Sequence, residues 1–200
     1  LDKRIGDLSQ VVISLFSDDS GSGALSFVDE HPRNLGYIKD KKTLVFIDSP
    51  SRMTGFATLK KAIELRDNFL GGWEKVVVLG WNFTYDISSA INELNDSKLE
   101  VLVIPPDLLD KLKSKATYKK LVDSGKIRFS SLQYLTIKPI EKINYSDELE
   151  ELNISLDNYI LLSPDNIPLD DSDKKSLQEL MASDPLALIE YWSIDPDFDG

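Results

Sequence analysis

The sequence predicts a layered α/β fold, and three observations carry that prediction. Three aliphatic, β-branched runs cross the middle of the chain: "TLVFID" (Thr43 to Asp48), "KVVVLG" (Lys75 to Gly80) and "EVLVIP" (Glu100 to Pro105). Each is nearly continuous in apolar residues, as a strand buried on both faces of a parallel sheet must be. The segments between and after them have helical period. A β-α-β-α-β-α series folds through right-handed crossovers into a parallel sheet flanked by helices.

The elements follow in order. "IGDLSQVVISLF" puts Ile5, Leu8, Val12 and Leu15 on one face of a leading helix, and "SDDSGSGALSFVDEHPRN" is polar and rich in turn residues, so it reads as a loop. After the first strand, Leu59, Ala62, Ile63 and Phe69 mark a helix closed by Gly71 and Gly72. After the second, Ile87, Ala90, Ile91 and Leu94 keep the i, i+3, i+4, i+7 spacing of one helix face. After the third, Leu108, Leu112, Ala116 and Val122 give another helix, with Gly125 as its stop. From about 127 to 162 the pattern becomes shorter and alternating, which predicts antiparallel strands added to the sheet edge. "SPDNIPLDDSD" is a linker, Ser172 caps a helix through Leu177, Leu180 and Met181, and Asp184-Pro185 opens a further short helix. The expected result is a Rossmann-like layered sheet with strands near 43–48, 75–80 and 99–104. The expected organisation is a leading helix and loop over 1–35, an α/β core over 36–165 and a linker with C-terminal helices over 166–200.

Composition narrows the function classes. A chain of 200 residues suffices for one sizeable core, with or without an appendage. The absence of cysteine excludes disulfides, thiol catalysis and thiolate metal sites, and is compatible with a cytoplasmic location. No apolar run approaches the ~20 residues of a membrane span, so no membrane partner is expected. The net charge of −11 argues against non-specific DNA binding by the chain alone, because phosphate neutralisation needs concentrated Lys and Arg. One segment is locally basic: "DKLKSKATYKK" carries Lys111, Lys113, Lys115, Lys119 and Lys120. These are the candidate DNA contacts, set against the alternative of a solvated helix face.

In an open parallel sheet, ligands bind beyond the carboxyl ends of the strands. Asp48, Arg52, Trp81, Asn82 and Asp86 fall there and are the candidate ligand-binding residues, with Thr84 beside them; the alternative is that they cap helices and shape turns. No dinucleotide fingerprint or phosphate loop is present. "SGSG" at Ser20 to Gly23 follows acidic residues rather than a buried strand, so it reads as a flexible loop. His31, the single histidine, precedes a proline in the polar loop and reads as a surface residue. No serine sits in a Gly-x-Ser-x-Gly elbow, and no catalytic residue is assigned. The closing "YWSIDPDFDG" alternates Asp195, Asp197 and Asp199 before Gly200, which is the opening of a calcium loop; its position-twelve glutamate lies beyond the sequence, and Pro196 sits where such a loop needs backbone freedom. No metal site is expected.

Three stretches together resemble one family. "LVFIDSPSRMTGFATLKKAIEL", then "VVVLGWNFTYDISSAI" with "LEVLVIPPDLLD", then "IEYWSIDPDFDG" are similar, in that order from about Lys42 to Gly200, to the C-terminal region of type III-like adenine-specific (N6) DNA methyltransferases, the modification subunits of bacterial restriction–modification systems. The resemblance implies that the acidic repeat is the family's closing segment, with Tyr191 and Trp192 as packing residues, rather than a calcium loop. It implies a longer parent protein whose catalytic domain binds S-adenosylmethionine and methylates adenine; the opening Leu1 and the ending in mid-motif agree with an excised piece. Pro105-Pro106 here stands within "VIPPDLL" and does not match the family's catalytic Asp/Asn-Pro-Pro-Tyr/Phe motif. No catalytic residue and no cofactor are therefore carried over. The implied partners are the catalytic methyltransferase domain of the same chain, DNA through the parent, and a restriction subunit. The implied role is structural, DNA-positioning or subunit-contacting. The alternative is an autonomous module binding a nucleotide or small ligand at the strand ends, and a third reading is a calcium-responsive module around Asp195 to Asp199.

Overall fold

The computed structural model describes the chain except residues 1, 29–30, 113–119, 121–126, 128, 145, 147–148, 163–166, 168 and 198–200. It divides into two compact units, Leu1–Ser130 and Ser131–Gly200.

The first unit is built on a mixed sheet. The sheet's strands are, in spatial order, β1 (Leu25–Ser26), β2 (Leu35–Ile38), β3 (Thr43–Ile47), β4 (Lys75–Gly80), β5 (Leu99–Val103) and, at the far edge where the two units divide, β6 (Ser130–Ser131). The three apolar runs are the parallel centre: Phe46 pairs with Val78 and Val78 with Val101. Helices α2 (Phe56–Asn68) and α3 (Ile87–Leu94) make the crossovers and touch each other. Helix α1 (Asp2–Leu15) leads, and α4 (Leu108–Lys111) follows β5. The helix expected through Ala116 and Val122 lies mostly outside the described residues; its first turn is α4, and Lys120 is helical as well.

Strand alternation assigns the two faces of this sheet. Val45, Ile47, Val77, Leu79 and Leu102 form one buried cluster with Val12, Ile13 and Phe16 of α1. Leu44, Phe46, Val76 and Val78 alternate with them and are equally buried, while the buried Leu59 and Ala62 of α2 and Ile87 and Ala90 of α3 stay outside that cluster. Both faces are therefore covered, which is why the strands read as unbroken apolar runs.

Two findings depart from the sequence reading. First, the segment expected to be polar loop supplies β1, and β2 follows it; both are antiparallel, and β2 pairs with β3 through Leu35 with Phe46 and Ile38 with Thr43. Over Tyr37 of β2 no helix is needed, because Phe27, His31, Tyr37, Phe69 and Trp73 stack there. The Phe27 and Tyr37 ring centres are 4.7 Å apart, and His31 meets Phe27 and Phe69 edge-on at 5.6 and 5.5 Å. His31 is a half-buried packing residue rather than a surface one. The "SGSG" loop is likewise tied down: Asp18 Oδ1 accepts the Ser20 and Ser22 backbone N–H groups at 2.9 and 3.0 Å, and Oδ2 pairs with Lys41 at 2.9 Å.

Second, the antiparallel strands from 127 to 162 mostly do not extend the main sheet. Only β6 joins it. β7 (Gln133–Ile137) pairs with β10 (Leu156–Leu161), and β8 (Glu141–Asn144) with β9 (Glu150–Asn153), as two separate two-stranded sheets. β8 and β9 form a hairpin, whereas β7 pairs with β10 across that hairpin. In the same unit, α5 (Asp171–Ser183) is capped by Asp170, whose side chain accepts the Asp173 N–H at 2.8 Å, rather than by Ser172. The short helix at Asp184-Pro185 is a 3-10 turn, Pro185–Leu188, that packs against β10.

Candidate functional site

The loops after β3 and β4 lie side by side because those strands are parallel neighbours in register, Ile47 opposite Leu79. Asp48, the first residue past β3, is buried, and its backbone N–H donates to the Leu79 carbonyl at 2.9 Å. Both of its carboxylate oxygens are engaged: Oδ1 accepts the Ser49 N–H at 2.8 Å and Oδ2 accepts the Thr54 hydroxyl at 2.6 Å. Thr54 is fully buried and crosses to the other loop, where its N–H donates to the Asn82 carbonyl at 2.8 Å and its carbonyl accepts the Thr84 N–H at 3.0 Å. Asn82 Nδ2 donates back to the Pro50 carbonyl at 3.2 Å. The two loops are thus sewn together by Asp48, Thr54 and Asn82.

The other candidates are placed differently. Arg52 is exposed, with its N–H on the Ser49 carbonyl at 3.1 Å. Trp81 turns inward and packs against the cluster that includes α1. Asp86 is exposed and stands at the N-cap of α3 without a side-chain cap bond. Among the described residues, the buried Trp81 Nε1 and Thr84 Oγ1 have no hydrogen-bond partner. Of the five residues, Asp48 and Asn82 are brought together through Thr54, whose hydroxyl donates to Asp48 and whose N–H donates to the Asn82 carbonyl. A crevice needs neighbouring crossovers to leave the sheet in opposite directions, at a reversal of strand order. Here the order β3-β4-β5 is consecutive.

The lysine row is described only at its ends. Lys111 pairs with Asp107 at 2.5 Å, one helical turn back, and Lys120 is exposed; Lys113, Lys115 and Lys119 lie outside the described residues. In the acidic tail, the Asp197 N–H donates to Asp195 Oδ1 at 3.0 Å, an Asx turn, while Asp199 and Gly200 lie outside the described residues. Among the described residues no three His, Asp or Glu side chains are grouped to hold a metal ion, and no helix is long and apolar enough to cross a membrane.

No protein-family model, curated protein or solved structure matches this chain. What can be said of the site rests on its own geometry.

Sequence reasoning passed over Ser49, Thr54 and Gly80 as participants. The signal for the first two is "DSPS" followed by Thr-Gly, since Asp and Ser before turns hydrogen-bond their own backbone. Gly80 ends the central strand where the loops close on it: a Cβ there would stand 2.6 Å from Phe83 Cζ and 2.8 Å from Thr54 Oγ1. Gly80→Ala should destabilise the first unit by about 1–3 kcal/mol, the usual cost of overpacking, as read from the urea midpoint.

Proposed function

We propose that this chain is a non-catalytic domain of a type III-like DNA adenine methyltransferase, with a structural, DNA-positioning or subunit-contact role. A Rossmann-like layering, with α1 on one face of the sheet and α2 and α3 on the other, is part of this reading. The observation that carries the non-catalytic role is the Asp48–Thr54–Asn82 lattice. Side chains at the strand ends spend their hydrogen bonds on each other and hold two loops rigid. A catalytic crevice instead aims free polar groups at substrate. Support for the methyltransferase context comes from the order of the sequence segments, with Gly80-Trp81, Ile104-Pro105 and Tyr191-Trp192 in succession. S-adenosylmethionine and adenine chemistry belong, on this reading, to the catalytic domain of the parent.

Calorimetric titration of the chain with S-adenosylmethionine should give no saturable heat, and a methyl-transfer assay on adenine-containing duplex DNA no product. Stoichiometric cofactor binding would sink the proposal. A second reading, a small-ligand module, is favoured by one observation: Trp81 Nε1 and Thr84 Oγ1, on one loop, are both buried and unpartnered. Titration with nucleotides, followed by Trp fluorescence, separates the two readings. A response lost in Trp81→Phe selects the second.

A further inference from the structure

We draw no further inference here: the strongest candidate, the surface patch on the loops after β3 and β4 where Arg52, Met53, Phe56 and Tyr85 are exposed around the start of α2, rests on a helix N-terminus and solvent-facing side chains, and nothing in the structure shows what covers it.

Discussion

Arg66→Ala should destabilise the first unit by about 3–5 kcal/mol, the cost of leaving a buried ion partner uncompensated. Arg66 sits in the last turn of α2 with its guanidinium buried, donating from Nη1 to Asp96 Oδ1 at 2.6 Å and from Nε to Asp67 Oδ1 at 2.9 Å. Asp96, in the turn between α3 and β5, is itself largely buried and also accepts the Lys98 N–H at 2.9 Å. Removing the cation strands that carboxylate, whereas losing the exposed Asp67 contact costs little. The double variant Arg66→Met/Asp96→Ala removes both charges and should recover much of the loss, because an apolar replacement of a buried pair is often tolerated. The pH dependence has a definite sign. The hydrogen bond from Arg66 holds the Asp96 carboxyl below its ordinary range, against a burial effect of opposite sign. Its contribution is therefore complete above the unfolded carboxylate value of about 3.9 and is lost as pH falls through the lower folded value. Wild type and Arg66→Ala should accordingly differ most near neutrality and converge in acid, as urea unfolding measured at stepped pH would record. A constant difference across the acid range would show that Asp96 is not the partner that matters.

Asp48→Ala carries the second large effect, about 2–6 kcal/mol for leaving the buried Thr54 hydroxyl and the half-buried Ser49 N–H without an acceptor, at about 1–3 kcal/mol each. The Thr54 hydroxyl, on a residue with no solvent exposure, and the Ser49 N–H both lose their acceptor. Asp48→Asn keeps one acceptor oxygen and should lose less than half as much. The comparison also distinguishes a latch from a binding residue. A ligand-binding carboxylate can be removed with little change in stability, since its function is held in reserve for the ligand. Asp48 should behave in the opposite way, and a urea midpoint unmoved by Asp48→Ala would return it to the list of ligand-binding candidates.

The parallel strands were legible because burial on both faces requires unbroken apolar sequence, and "TLVFID", "KVVVLG" and "EVLVIP" have it. Helices α2 and α3 were legible for the same reason at period 3.6. What was illegible is whatever depends on a distant partner. β2 is four residues long and owes its extended form to β3 beside it. Arg66 reads in sequence as one more solvated helix cation, and only Asp96, thirty positions on, accounts for its burial. Asp48 was legible as a residue at a strand end and "DSPS" as a turn that bonds its own backbone, but which oxygen the Thr54 hydroxyl takes depends on how the loop folds back. Alternation from 127 onward indicated strands but not their pairing, because register between short hairpins is set by turns and by the buried face rather than by composition.

The consecutive strand order of the main sheet has a consequence for how the molecule is made. From β2 to β5, each strand lies beside the one synthesised just before it. Among the strands from β2 to β5, none waits for a neighbour encoded far downstream. Loop-closure entropy therefore grows by small steps as the chain lengthens, and topologies with close-in-sequence pairings fold fast. Such a sheet can be laid down strand by strand during translation, with each new edge unpaired only for the time needed to synthesise one helix and one strand.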